Sequence, residues 1–212
     1  MQKLVAGYLR FQNEVFPEQR EFFEALSAGQ SPDALVITCA DSRIDPGLLL
    51  QSGPGELFVV RNVGNIVPPH GEFTGGISSA IEYAVMALQV RHIIVLGHSD
   101  CGAMKALKDP DKIAHLPAVR TWLKHSESAR HMVEHNYPGL EDDAWLRALT
   151  EENVIAQIEH LETHPSVAAR LRKGGLQLHG WIYDIRRGGI SALVENHKFV
   201  PLAEAAALQA AT

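Results

Sequence analysis

Cysteine is scarce in this chain: Cys39 and Cys101 are the only two among 212 residues. That count excludes a disulfide-stapled scaffold. A close C-x-x-C redox pair is excluded as well, because the two lie 62 positions apart. No apolar run approaches the ~18 residues of a membrane-spanning helix. The N-terminal stretch M-Q-K-L-V-A-G-Y-L-R-F-Q-N-E is broken by polar residues and has no signal-peptide apolar core, so a cytoplasmic chain with reduced thiols is expected. Basic charge is also short: the formal charge of −6 offers no footprint for nucleic acid. Internal repeats, low-complexity runs and domain linkers are missing too. What remains is one domain's worth of chain, residues 1–212, 46% hydrophobic and 21% charged, able to bury one large core.

Two segments organise it. L-V-I-T-C-A-D-S-R ends at Arg43 and I-I-V-L-G-H-S-D-C ends at Cys101. Each opens as an apolar strand and closes on a polar turn holding a cysteine, with His98 three residues before the second. Cys39, His98 and Cys101 supply two thiolates and an imidazole, three of the four donors a tetrahedral zinc takes. Three protein donors leave one position for water, the layout of a catalytic zinc. Asp41, two residues beyond Cys39, is a candidate fourth donor that would instead close a structural site. Arg43 beside it would hold the carboxylate ionised and fix its direction through a forked hydrogen bond. An ionised carboxylate only accepts, so a zinc-bound hydroxide would point its hydrogen at Asp41 and its lone pair at the substrate.

In chain order, residues 3–29 read as two helices interrupted at Pro17. Their apolar surface suits either packing on a partner or lying on the chain's own sheet. Strands are expected at 35–38, 57–61 and 92–96, with a short helix at 48–51 and another at 77–88. Between them N-V-G-N-I-V-P-P-H-G-E-F-T-G-G has the Gly and Pro content of a long functional loop. Helices follow at 102–107, 117–135 and 142–163, turning Trp122, Met132, Trp145, Leu149, Ile155 and Ile158 inward, and a shorter one ends at Gly174-Gly175. L-Q-L-H-G-W-I-Y-D-I is the fourth strand, and 191–194 the last, antiparallel at the sheet edge because the connection is too short for a crossover. The fold class is α/β: a mostly parallel sheet, an antiparallel edge strand, flanking helices and an N-terminal helical arm over residues 1–30. His115, His125, His131, His135 and His160 read as solvated helix-face residues, and His70 is a candidate proton relay.

Four motifs in order, C-A-D-S-R, R-N-V-G-N-I-V-P-P, G-G-I-S-S-A-I-E-Y-A-V and G-H-S-D-C-G-A-M, resemble the β-class carbonic anhydrases, closest in flavour to bacterial members associated with cyanate degradation. The resemblance implies one Zn2+ per chain on Cys39, His98 and Cys101, and reversible hydration of carbon dioxide to bicarbonate. It implies a catalytic pair in Asp41 and Arg43, and substrate-site residues at Gln30, Phe58, Tyr83 and Gly102, with Gln30 reaching the neighbouring subunit's site. Homodimers, or larger assemblies built from them, are implied as well. One branch of the family carries a tryptophan three residues before the first cysteine, lining a bicarbonate pocket that switches the enzyme off. Here that position is Val36, so an open site is expected. The rivals are a non-catalytic zinc scaffold, which has no need of Asp41, Arg43 or Gln30, and a related hydrolase of carbon disulfide or carbonyl sulfide.

Overall fold

The computed structural model describes residues 1–71 and 75–210. It divides into two compact units, residues 1–31 and 32–212. The first is the helical arm. Helix α1 (Gln2–Arg10) runs on through a wider turn, Phe11–Val15, to Glu18, and α2 (Arg20–Ser27) follows. Pro17 lies inside this run, where it has no N–H for the helical ladder, and the wider turn at Phe11–Val15 stands directly before it. No residue of α1 or α2 is buried; what ties the unit together is a set of phenylalanines. Phe23 packs at 5.4–5.6 Å from Phe11, Phe16 and Phe22, centroid to centroid.

In the second unit, the described residues form a six-stranded sheet of order β2-β1-β3-β4-β5-β6: β1 (Ala34–Cys39), β2 (Leu57–Asn62), β3 (His92–His98), β4 (Gln177–Tyr183), β5 (Ile190–Val194) and β6 (Lys198–Pro201). The first four are parallel, and β5 and β6 are antiparallel. All of β1 is buried, as a continuous apolar run in a parallel sheet requires. The chain therefore does not end on an edge strand at 191–194. Asn196 and His197, both in left-handed backbone, turn it back so that β6 pairs with β5, and α10 (Leu202–Ala210) follows.

The helices between are α3 (Pro46–Leu50), α4 (Gly76–Glu82, extended by a wider turn through Ala87), α5 (Gly102–Lys108), α6 (Pro117–Leu123), α7 (Glu127–Asn136), α8 (Asp142–Thr163) and α9 (Pro165–Arg172). One face of the sheet, with Leu35, Ile37, Ile93 and Val95, packs on Ile81 and Val85 of the α4 segment, Val154 and Leu161 of α8, and Val167 of α9. The other face, with Val36, Ile94 and Leu96, packs on Ile44 and on Leu49 and Leu50 of α3. Helix α8 comes unusually near the sheet because it crosses two glycines: a Cβ on Gly97 or on Gly180 would lie 2.8 Å from a Val154 methyl.

The expected helix over 117–135 is broken by a tighter turn at Lys124–Ser126. The break shifts the helical phase, so Met132 faces outward, 47% exposed, and not into the core. Residues 72–74 of the glycine-rich loop lie outside the described residues.

Candidate metal centre

Chain connectivity reverses between β1 and β3: β2 lies on one side of β1 and β3 on the other. In an open α/β sheet the crevice at such a switch point, beyond the carboxyl ends of the strands, is where ligands bind. Cys39 is the last residue of β1 and His98 the last of β3, so both arrive there. Asp100, in left-handed backbone at φ +59°, folds the next turn so that Cys101 joins them just before α5. The turn is pinned from β4: Ser99 N–H donates to Tyr183 O at 2.9 Å, and Ile185 N–H donates to Ser99 Oγ at 3.0 Å.

The three donor atoms lie within 4.8 Å of one another, and all three residues are buried. The two sulfurs are 4.0 Å apart. His98 Nδ1 donates to Ser99 O at 2.8 Å, which leaves the Nε2 lone pair bare. That Nε2 is fully buried and has no hydrogen-bond partner among the described residues. An orphaned imidazole nitrogen costs free energy unless something binds it. The sulfur spacing fits a tetrahedral zinc, whose ~2.3 Å bonds to sulfur put two thiolates roughly 3.8 Å apart. The two thiols titrate as a pair. Cys39 is drawn well below its usual range, first by the hydrogen bond from Cys101. Cys101, as donor to that sulfur and deeply buried, is pushed well up. One thiolate is thus ready for a cation, and the second proton leaves when a cation binds.

Asp41 and Arg43 flank the cluster. Arg43 Nε and Nη2 donate to the two carboxylate oxygens of Asp41 at 2.9 and 2.7 Å, and Arg43 N–H adds a third bond at 3.0 Å. These bonds hold the Asp41 carboxyl far below the usual carboxylate range. Its Oδ2 stands 3.9 Å from His98 Nε2, beside the cluster.

Of the expected substrate residues, Phe58 and Tyr83 face each other with ring centroids 6.0 Å apart, and Tyr83 is half exposed. Gly102 opens α5 directly after Cys101. Gln30 belongs to the N-terminal unit and is exposed.

Several supporting residues escaped the sequence reading. Arg61 reaches back from β2 to the carbonyls of Cys39 and Asp41, at 3.1 and 2.7 Å. Gly64 N–H points at the Cys39 sulfur at 3.4 Å. Gly64 is itself held from α8: Asn153 donates to its carbonyl at 3.2 Å, Gln157 donates to Asn153 at 3.0 Å, and Val67 N–H donates to Gln157 at 2.8 Å. His160 continues the row, its Nδ1 donating to Val67 O at 2.7 Å, so it is a partly buried structural residue and not a solvated one. His164 Nε2 donates to Pro68 O at 3.0 Å. The polar spacing 153, 157, 160, 164 was the available signal, one helix face that reads as solvent-facing when no partner is in view. Of the other four histidines read as solvated, His115, His131 and His135 are exposed, while His125 leans on Trp122 with ring centroids 5.6 Å apart. His70 is exposed, its ring 5.5 Å from that of His164.

A buried Cys-His-Cys centre at the switch point of a parallel sheet, flanked by an ionised Asp–Arg pair, defines a metal-dependent α/β enzyme. Comparison with known proteins agrees. The sequence profile described as carbonic anhydrase matches residues 34–190. The chain is 49% identical over 205 residues to a carbonic anhydrase of Pseudomonas aeruginosa, covering 96% of this chain and 93% of that one. Carbonic anhydrase 1 of Escherichia coli O157:H7 is 47% identical over 204 residues, with coverage of 96% and 93%. The solved β-carbonic anhydrase CcaA superposes with a TM-score of 0.92 at 46% identity, covering 95% of this chain and 91% of that one. The chain belongs to the β-class carbonic anhydrase family.

Proposed function

We propose that this protein catalyses the zinc-dependent, reversible hydration of carbon dioxide to bicarbonate and a proton. The observation that carries the reading is the buried, unpartnered Nε2 of His98 beside two thiol sulfurs 4.0 Å apart. Cys39, His98 and Cys101 would hold one zinc per chain. Bound there, the metal supplies a Lewis acid that makes water a nucleophile near neutral pH.

The other steps belong to the chain. Asp41, kept ionised by Arg43, accepts a hydrogen bond from the attacking water and turns its lone pair toward the carbon of carbon dioxide. Arg43 also keeps the carboxylate turned to itself. Arg61 fixes the backbone on either side of Ala40, so the distance from Asp41 to Cys39 is set by two further bonds. Carbon dioxide is apolar with polarised oxygens, and the Phe58 and Tyr83 rings offer a surface of that character, with the backbone at Gly102 near Cys101. His70 is a candidate for passing the released proton to solvent.

We read residues 1–212 as one functional domain that carries an arm over residues 1–30. Its exposed Leu4, Val5, Tyr8 and Leu9 suit a partner subunit, and Gln30 would donate to a substrate oxygen in that subunit's site, making the dimer the smallest active unit. A β-carbonic anhydrase of Sordaria macrospora, 33% identical, is one of two described as tetrameric, which is compatible with assembly from dimers. A cytoplasmic setting agrees with two free cysteines used as ligands, and no helix among the described residues is long and apolar enough to cross a membrane.

The test is Asp41→Asn with zinc content held at the parent level. Turnover should fall on the order of 10²-fold, as loss of orientation predicts. Unchanged turnover would remove Asp41 from the mechanism. An active monomer by light scattering at assay concentration would remove the dimer requirement.

A further inference from the structure

The Arg43 guanidinium uses two edges. Its Nε and Nη2 face Asp41, while Nη1 donates to Asp100 Oδ2 at 2.9 Å and Nη2 also reaches Asp100 O at 3.2 Å. The left-handed backbone of Asp100 turns its carboxylate and its carbonyl toward the same guanidinium. The other carboxylate oxygen is taken by the ammonium of Lys105, from the middle of α5. The result is a row of alternating charge, Asp41, Arg43, Asp100, Lys105.

We propose that Asp100 is a positioning residue for the hydration reaction: it fastens Arg43 to the β3–α5 turn, so that Arg43 holds Asp41 at a fixed place relative to the metal donors. The turn that carries Asp100 is the one that delivers both His98 and Cys101. An arginine held by Asp41 alone, with 44% of its side chain exposed, is free to follow that carboxylate wherever it swings. Fastened to Asp100 as well, it ties Asp41 to the cluster by a path independent of the Cys39–Asp41 backbone. A single exposed ion pair contributes little, but a forked arginine shared between two carboxylates is the geometry in which such pairs do hold a side chain. Lys105 balances the second carboxylate, so Asp100 adds no net charge beside the cluster.

The inference rests on the reading of Asp41 as the ionised acceptor beside the metal, and the test separates the two. Asp100→Gly removes the carboxylate and accepts the left-handed backbone. Asp100→Asn keeps one oxygen acceptor and serves as the conservative variant. Each is made alone, Asp100→Gly is also combined with Asp41→Asn, and Asp41→Asn is measured alone. Two readouts are taken: kcat and KM of the zinc-loaded enzyme, and the visible spectrum of the cobalt(II)-substituted protein, which reports a carboxylate joining or leaving the metal.

Asp100→Gly should lower kcat about fivefold at unchanged KM and alter the cobalt spectrum. Asp100→Asn should fall between it and the parent. In the Asp41→Asn background, Asp100→Gly should leave the spectrum unmoved. Parent-like kcat and spectrum in Asp100→Gly, with turnover lost in Asp41→Asn, would overturn the role of Asp100 and leave Asp41 standing. A spectral change that persists without Asp41 would show Asp100 acting on the Cys101 turn directly, and would also overturn the proposal. Full turnover in Asp41→Asn would remove the reading of Asp41 and this inference with it.

Discussion

Replacing Gly97 by alanine tests how helix α8 sets the site. The new Cβ would lie 2.8 Å from Val154 Cγ2 and 3.6 Å from Thr150 Cγ2. Carbon atoms pack best at about 3.5–4.0 Å, so one contact is short by roughly 1 Å. Val154 cannot turn aside, because it is fully buried and β-branched, with a stiff χ1. The helix must shift instead, at about 1–3 kcal/mol. Against this, alanine restricts the unfolded chain and returns about 0.4–1 kcal/mol. Overpacking wins, and a net loss of about 1–2 kcal/mol is expected. Val154→Ala alone should cost about 2–3 kcal/mol, for two methyl groups and the space they leave. Combined, the new methyl enters the vacated space. The double variant should therefore be more stable than the sum of the single losses by about 1–2 kcal/mol. Urea unfolding of the zinc-loaded protein measures each corner of the cycle. Additivity within about 0.5 kcal/mol would refute the reasoning.

Three further outcomes are expected. Gln157→Leu, of similar volume, leaves Val67 N–H and Asn153 Oδ1 unpaired in a buried place and should cost about 2–4 kcal/mol; a urea midpoint close to the parent's would show that the amide row does not hold the loop. Burial holds the His164 and His179 pKa values below the ordinary one, His92 adding to the effect at His179. Both bind protons more readily when unfolded, so stability is present above about pH 6.5 and is lost as pH falls through the folded-state values. His164→Gln should flatten that loss in urea midpoints taken across the range, and an unchanged slope would refute it. Arg43 keeps Asp41 ionised far into acid, and Asp41 in turn raises Arg43 further, so neither changes charge between about pH 5 and 9. Hydration should therefore rise with pH as a single titration without bicarbonate cooperativity, and a steep multi-proton profile relieved by removing bicarbonate would contradict the open site expected from Val36.

Strands β1 and β3 were legible because both faces of the sheet are covered there, which writes them as unbroken apolar runs, Leu35-Val36-Ile37 and Ile93-Ile94-Val95-Leu96, whereas the apolar residues of β4 are interleaved with Gln177, His179 and Gly180. The donor set was legible because two short segments carry it. What escaped depends on contacts far apart in the chain. Strand β6 is four residues long and ends in Pro201, too short for a period, and only the Asn196-His197 turn marked it. Met132 was assigned inward because the break at Lys124–Ser126 rephases the helix and leaves no proline or glycine as a sign. Asn153 and Gln157 drew no assignment because a buried amide and an exposed one have the same sequence. Asp100 escaped because its place beside Arg43 follows from a left-handed turn that G-H-S-D-C does not announce.

Metal content measured together with stopped-flow carbon dioxide hydration, on the parent protein and on Cys101→Ser, tests the central claim most directly. The account predicts one zinc per chain in the parent, and zinc and turnover lost together in Cys101→Ser. Full hydration activity in a zinc-free preparation would contradict it.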